Sequence, residues 1–290
     1  MLCATIDSVR AGGMDPQIIV VDDASSDDTG EVCAGLPGVT YLRLPTQGGT
    51  AAARNRGLAA ARGDFVSFID DDDLRLPNTF AQQVALLQAD ADAAFCYARV
   101  LVGDSRFGLP TGAIVPNIMP SGDIYWPLLE GNFVPACSVV ARKAAVLECS
   151  GFDERLQTME DYDLWVRLSE RHAVVASQDP VAIYRRRGLS SGQKTSDRVW
   201  HGRNRQQMLR RLLDRPRARA NPRQRRQAFA GHMKGVYHSL VHDALEANAD
   251  GREDIARAYL GEARASVSVP LKAWFACSLI GQPAMRIKSV

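Results

Sequence analysis

Four consecutive aspartates, Asp70 to Asp73, close the short apolar run Phe65-Val-Ser-Phe-Ile69. Adjacent carboxylates repel one another and raise one another's pKa, so such a run is unfavourable unless a cation or hydrogen-bond donors relieve it. A hard divalent ion, Mg2+ or Mn2+, relieves it best, because it takes oxygen ligands from one or two carboxylates and fills its shell with substrate phosphates. The competing structural reading is an acidic helix cap at a solvated loop, and the buried run in front of the aspartates tips the balance to chemistry. Asp22 and Asp23 stand in the same relation to Ile18-Ile-Val-Val21. If both runs are strands of one α/β sheet, the two acidic groups share the edge at which open sheets bind ligands, and carboxylates there can accept from a base N–H or from ribose hydroxyls. Helix capping by Asp22 or Ser25 is the alternative for that pair. Glu160, Asp161 and Asp163 open a helical stretch. Acids in a first turn stabilise the helix dipole, yet a carboxylate there can also act as general base for a hydroxyl within hydrogen-bond reach.

The elements that must position these groups follow from periodicity. Leu2, Ile6 and Val9 are spaced by four and three, so the chain opens within an amphipathic helix. Strands are expected at 17–21, 39–44, 64–69 and 93–102, and helices after Asp22 to Thr29, over the Ala-rich 50–62 and over 77–87. Strands alternating with helices predict an α/β fold with a mostly parallel sheet flanked by helices. The Gly- and Pro-rich region from Gly103 to Pro135 reads as loop with short elements, long enough for a binding segment over a site. Beyond it, 136–140 is strand-like and 159–171 helical, with Leu164, Trp165 and Leu168 on one face. From about Asp197 the pattern turns helical and charged, which predicts a boundary near residue 190 between a domain of 1–190 and a helical, basic extension of 191–290.

Composition bounds the class. The 290 residues are 46% hydrophobic, enough for a sizeable core and against overall disorder. Six cysteines are scattered without a CxxC pair or a Cys/His cluster, and the five histidines form no ligand pattern, so neither a zinc module nor a disulfide framework is indicated and reduced, cytoplasmic thiols are expected. No apolar run reaches the roughly 18 to 20 residues that span a bilayer, and no signal-peptide pattern opens the chain. The formal net charge of +2 hides a strong asymmetry. Fifteen basic residues against two acids give Arg185 to Arg226 a charge of +13, leaving −11 for the remainder.

Taken together the acidic groups and their flanks resemble the family 2 glycosyltransferases of the GT-A fold, inverting enzymes that use a nucleotide-activated sugar. The matching pieces are Ile18-Ile-Val-Val-Asp-Asp-Ala-Ser-Ser-Asp-Asp-Thr29, Gly48-Gly-Thr-Ala-Ala-Ala-Arg-Asn-Arg-Gly57, Gly63-Asp-Phe-Val-Ser-Phe-Ile-Asp-Asp-Asp-Asp-Leu-Arg-Leu-Pro77, Gly151-Phe-Asp-Glu154 and Glu160-Asp-Tyr-Asp-Leu-Trp-Val-Arg-Leu168. These five ordered motifs cover about residues 1 to 190. The resemblance implies that Asp22 and Asp23 sit by the base and ribose, that Arg54 lies near the nucleotide, and that Asp70 and Asp71 face the ribose or diphosphate. Asp72 and Asp73 are implied as metal ligands and Asp161 as catalytic base, with a saccharide or lipid-linked saccharide as acceptor in envelope or extracellular polysaccharide assembly.

Two departures from the family pattern carry expectations of their own. The family's first apolar strand and its Pro-x-Tyr-Asn type loop are missing, which reads as a fragment or a misplaced start and predicts impaired activity. Where many relatives have Tyr-Arg-x-His, this chain has Tyr184-Arg-Arg-Arg187. Arg187 cannot ligate a cation, but it can neutralise diphosphate charge and so lessen dependence on the metal.

Other classes fit less well. A non-catalytic, degenerate GT-A domain that binds an acidic partner or membrane through its basic segment is the main alternative. A phospho-receiver domain lacks its isolated acceptor Asp and later Lys, and a nucleotidyltransferase lacks its Lys-bearing phosphate loop. Arg185 to Arg226 can attract phosphates or anionic headgroups, and Trp274 to Ile280, with Lys272, Arg286 and Lys288 around it, can rest on a membrane surface at the inner face. A solvated helical face and a packed last helix are the bland readings of the same stretches. No nucleic acid is expected as partner.

Overall fold

The computed structural model describes residues 1–104, 109–185 and 198–266, with only the backbone course given for 198–203. In chain order the elements of the first part are α1 (Leu2–Ala11), β1 (Ile18–Asp22), α2 (Thr29–Ala34), β2 (Val39–Arg43), α3 (Gly49–Ala60), β3 (Phe65–Ser67), β4 (Leu74–Arg75), α4 (Phe80–Ala89) and β5 (Ala93–Gly103). There follow β6 (Pro110–Val115), α5 (Tyr125–Glu130), a 3-10 turn at Ala136–Ser138, β7 (Val140–Arg142), α6 (Lys143–Glu148), α7 (Glu160–Ser169) and β8 (Ala173–Arg185). The chain divides into two compact units, one of 1–128 and 132–196, the other of 129–131 and 197–290.

The first unit is α/β, built on two sheets. β1 and β2 pair in parallel, Ile18 opposite Val39 and Asp22 opposite Arg43, as the alternation of strand and helix predicts. The larger sheet has the order β3-β7-β5-β8-β4, with β6 also on β5. Within it only β5 and β8 run parallel, while β3–β7, β5–β7, β4–β8 and β5–β6 are antiparallel. The sheet is therefore mixed, not mostly parallel as expected. The reason lies in β4, β6 and β7, short strands delivered by loops instead of by the helical crossovers that enforce parallel pairing. The strand-like 136–140 resolves into the 3-10 turn followed by β7, which sits between β3 and β5.

β8 is a long strand that the sequence pattern does not announce, because Gln178-Asp179-Pro180 interrupts it. The register shows how the interruption is absorbed. Ala98 pairs with Ser177 and Arg99 with Pro180, so Gln178 and Asp179 bulge out of the ladder. Pro180 is tolerated there because a bulge needs no ladder N–H from it.

The core lies between the large sheet and its helices. Phe95, Tyr97, Leu128, Tyr162, Leu164, Trp165 and Leu168 are all but fully buried, and Phe95 and Trp165 stack with ring centroids 5.2 Å apart. On the other face Val84 and Leu87 of α4 pack on Ala93, Cys96 and Val140. Arg75 of β4 is buried as well. It donates to Thr79 Oγ1, Gln83 Oε1 and the Cys137 carbonyl, and its guanidinium lies 4.1 Å from the Phe80 ring centroid. Gln83 passes the linkage on by donating to the Ser138 carbonyl at 2.7 Å. Burial without a carboxylate partner lowers the Arg75 pKa to about 10, still leaving it charged at neutral pH.

The second unit is helical: α8 (Arg198–Leu213), α9 (Pro216–Ala220), α10 (Pro222–Ala249) and α11 (Glu253–Ser266). Small residues let α10 and α11 pack closely, with Ala244, Ala247, Ala256 and Tyr259 forming one cluster and Val236, Leu240 and Ala263 another. α10 ends where Gly251 takes φ 73°, the left-handed conformation that closes a helix, and Arg252 N donates back to the Ala247 carbonyl. Among the described residues, no helix is long and apolar enough to cross a membrane.

Candidate active site

β1 ends in Asp22, whose carboxylate is turned into the protein. Its Oδ1 accepts the Ser25 N–H at 2.7 Å, and its Oδ2 accepts the Tyr41 hydroxyl at 2.5 Å and Arg43 Nη1 at 2.7 Å. Burial opposes ionisation, but the hydrogen bonds from Tyr41 and Ser25, with the Arg43 charge, outweigh it and hold the carboxyl at about 2. Asp23 reaches the other way. Its Oδ1 accepts the Gly48 N–H at 2.6 Å and its Oδ2 the Gly49 N–H at 2.9 Å, so one side chain organises the loop that starts α3. Glycine is required there on two counts: Gly49 has φ 84°, and a Cβ on Gly48 would meet that of Ala52 at 2.9 Å.

α3 carries Arg54 across to the acidic loop. Nη2 lies 2.8 Å from Asp70 Oδ1 and Nη1 lies 2.9 Å from Glu160 Oε1, while the guanidinium rests 5.5 Å from the Phe152 ring centroid. Arg54 thus joins the aspartate loop to the first turn of α7. Asn55, beside it, accepts the Phe152 N–H and donates to the Phe152 carbonyl and to Glu154, fixing the Gly-Phe-Asp-Glu segment ahead of α7.

The aspartate run folds into a turn closed by the Asp73 N–H on the Asp70 carbonyl at 3.1 Å. The turn brings Asp70, Asp72 and Asp73 together, each offering an oxygen within 4.8 Å of the others, while Asp71 stands exposed outside that group. Three hard oxygen donors at this spacing suit a divalent cation of the Mg2+ or Mn2+ type. Asp72 and Asp73 are buried. Asp73 Oδ1 accepts the Arg185 N–H at the end of β8. Burial first, then the neighbouring Asp70 and Asp72 charges, push its carboxyl up to about 7 despite hydrogen bonds from Arg185 and the Cys137 thiol. A carboxylate so raised binds a proton readily at neutral pH, and a cation would take that proton's place.

Met159, the residue that precedes α7, has φ 61°, a left-handed conformation rare in a residue with a long side chain. The bend presents Glu160 and Asp161 together. Glu160 is spent on Arg54, whereas Asp161 accepts the Tyr162 N–H at 2.7 Å and remains partly accessible. Desolvation by the packing around it raises the Asp161 carboxyl to about 6, with Arg54 pulling down and Glu160 pushing up. Asp163, two residues on, belongs to the helix: it accepts Arg167 Nε at 2.7 Å.

The structure therefore gathers Arg54, Asp70, Asp72, Asp73 and, through Arg54 and Glu160, Asp161, and it sets Asp22 and Asp23 at the end of β1. Arg187 lies outside the described residues, as does the segment from Trp274 to Ile280. Sequence reasoning passes over Glu160 as the partner of Arg54, Thr5 beneath the aspartate turn and Cys137 beside Asp73. None carries a local signal, since each acts through a residue far away in the chain.

Residues 1–146 match the family model described as Glycosyl transferase family 2. The chain belongs to that family. Among curated relatives, the pre-mycofactocin glycosyltransferase of Mycobacterium tuberculosis is 30% identical over 177 residues, which are 58% of this chain and 36% of that protein. The putative glycosyltransferase EpsE of Bacillus subtilis is 28% identical over 163 residues, 53% of this chain and 56% of that protein. The chain thus spans roughly a third to a half of the curated relatives it matches first. Solved structures share the fold. S. aureus TarS 1–349 with UDP-GlcNAc superposes with TM-score 0.54 at 18% identity, over 92% of this chain and 89% of that one. The mannosyltransferase PcManGT from Pyrobaculum calidifontis, in complex with GDP-Man and Mn2+, gives 0.55 at 17% identity over 96% and 75%. The architecture is accordingly GT-A, an α/β core followed by a helical part.

Proposed function

We propose that this family 2 chain is an inverting glycosyltransferase that moves a hexosyl group from a nucleoside-diphosphate sugar to an acceptor hydroxyl, assisted by Mg2+ or Mn2+. The observation that supports it most is Arg54, which bridges Asp70 of the carboxylate cluster to Glu160 beside Asp161 and so ties a cation site to a base. Asp161, ionised above about 6, takes the proton of the acceptor hydroxyl. The oxygen then forms its bond to the anomeric carbon as the bond from that carbon to the diphosphate breaks on the opposite face, and configuration inverts. Asp70, Asp72 and Asp73 would hold the divalent ion, which would supply charge neutralisation for the departing diphosphate. Asp22, Asp23, Asp71, Arg54 and Arg187 are assigned to the nucleotide and sugar, Asp23 through the Gly48-Gly49 loop that it orders.

The acceptor in this reading is a saccharide or lipid-linked saccharide in envelope or extracellular polysaccharide assembly, used at the cytoplasmic face of a membrane. The arginines of α9 and the first turns of α10 support a peripheral contact with anionic headgroups there. Arg217, Arg219, Arg223, Arg225 and Arg226 follow one another with Asp214 as the nearby acid. Thermal unfolding with UDP, GDP, CDP and dTDP, each with and without Mn2+, tests the site, because a ligand that binds the folded state raises its apparent stability. A shift that needs one nucleotide and the metal together is expected and names the donor class. A cooperatively melting chain that no pair shifts would sink the reading.

A further inference from the structure

We infer that Thr5 of α1 is a positioning residue for the aspartate turn, holding its backbone so that the three carboxylates converge; this rests on the reading of Asp70, Asp72 and Asp73 as the cation site. The turn gathers like charges at close range, and their repulsion works to open it. Arg54 offsets the charge of Asp70, but the backbone that carries Asp72 and Asp73 needs a hold of its own. The Thr5 hydroxyl lies 2.9 Å from the Asp71 carbonyl and 2.9 Å from the Asp73 carbonyl, and Thr5 is 4% exposed. Its single proton is shared between two acceptors on either side of Asp72, drawing both carbonyls to one point beneath the turn. With those carbonyls turned toward α1, the peptide plane ahead of Asp72 and the one that follows Asp73 are both held, and the two aspartates lie between them.

Ser8, one helical turn on, extends the grip. Its Oγ accepts the Arg75 N–H at 2.9 Å and donates to the Thr5 carbonyl at 2.7 Å. Residues three apart share a helix face, so α1 presents two hydroxyls in line to the 71–75 segment. β4 is held on its other side by β8, through Leu74 on Ile183 and Arg75 on Ala182. The segment carrying Asp72 and Asp73 is thereby clamped between a strand and a pair of helix hydroxyls. Both hydroxyls bond to the backbone of the segment, at the Asp71 and Asp73 carbonyls and the Arg75 N–H, and their effect on a cation is through backbone geometry.

The test is a titration of the whole chain with Mn2+ alone, read by loss of the free-ion electron paramagnetic resonance signal, for wild type, Thr5→Val, Thr5→Ala and Thr5→Ser. Valine keeps the shape and removes the proton donor, and serine restores it. Thr5→Val is expected to weaken Mn2+ binding by about tenfold or more, the range seen when partners behind a metal ligand are lost, with Thr5→Ser within about threefold of wild type. Circular dichroism melts accompany each titration, and Thr5→Ala serves if the valine variant does not fold. Unchanged Mn2+ affinity in a folded Thr5→Val or Thr5→Ala chain overturns the inference, as does a Thr5→Ser chain no better than valine. A wild type that binds Mn2+ but transfers no sugar would defeat the proposed function and leave this role of Thr5 standing. A wild type that binds no Mn2+ would defeat both.

Discussion

Asp73 and Arg185, 112 residues apart, are joined by a hydrogen bond from the Arg185 N–H to the Asp73 carboxylate at 2.9 Å. The bond pins the aspartate turn to the end of β8, and it does so with a group that burial and neighbouring carboxylates have pushed up to about 7. Since an acid whose pKa is raised by folding binds protons better folded than unfolded, the fold loses stability as pH rises from 3.8 to about 7 and recovers it as pH falls back through that window.

Asp73→Asn follows directly. The amide oxygen still accepts the Arg185 N–H, and the unfavourable buried charge is gone, so the melting temperature at about pH 8 should hold or rise by a few degrees. Mn2+ affinity should drop by about tenfold or more, because the amide is a poorer ligand for a hard cation. A variant that melts markedly lower and binds Mn2+ normally would assign Asp73 to structure alone.

Arg54 ties the aspartate turn to the first turn of α7. Its side chain and that of Glu160 are about one-tenth exposed, so removing the guanidinium strands a nearly buried carboxylate. Arg54→Ala should cost about 3 kcal/mol, close to the range for breaking a buried pair, seen as a melting temperature lower by about 6 to 12 °C. Adding Glu160→Gln should recover part of the loss, since the orphaned charge is then absent, and a double-mutant cycle with additive effects would show that the pair is not coupled. Arg54→Lys should not rescue, because one ammonium cannot span Glu160 and Asp70 as a planar fork does.

Much of this was legible in the chain and some was not, for physical reasons that individual residues show. The Ile18 to Val21 and Phe65 to Ile69 runs declare strands by their β-branched and aromatic content, although β1 is only half-buried and β3 stops at Ser67, which is exposed. Direction is another matter: β3 and β7 pair antiparallel, and nothing in their short runs of Phe65 to Ser67 and Val140 to Arg142 distinguishes that from a parallel pairing. β8 stayed hidden because a bulge at Gln178 and Asp179 puts polar residues and a proline inside it. Asp22 reads as a ligand of ribose by its position, yet what its carboxylate touches, Tyr41 and Arg43, is set by the β1–β2 register, which no local pattern encodes. Thr5 carries no signal at all, being a helix threonine whose partners lie 66 and 68 residues away.

The bonding of Asp22 makes a prediction about acid. Folding lowers its carboxyl from 3.8 to about 2, so the ionised form stabilises the fold above the unfolded value and the benefit is lost as pH falls through that window. Discounted for the solvent around Arg43, the contribution is about 1 to 2 kcal/mol. Urea midpoints measured from about pH 6 to pH 2 should fall less steeply for Asp22→Asn than for wild type. Parallel curves would mean that Tyr41 and Arg43 do not hold the carboxylate in solution.

Asp161 gives the sharpest chemical test. A general base must be ionised to accept a proton, and desolvation has raised this carboxyl to about 6, close to the working pH at which a base is most effective. Transfer measured as kcat/KM should therefore fall about tenfold per pH unit on the acid side of about 6, where Asp161 is protonated, and level off above it. Asp161→Asn should lose transfer by a factor of about 100 to 10,000 while nucleotide and Mn2+ still raise the melting temperature as in wild type. At about pH 8 the asparagine chain should also be at least as stable as wild type, because the raised pKa marks the ionised group as unfavourable to the fold. Retained transfer in Asp161→Asn would remove the base from this position, and the nearest remaining carboxylate, Glu160, is already committed to Arg54.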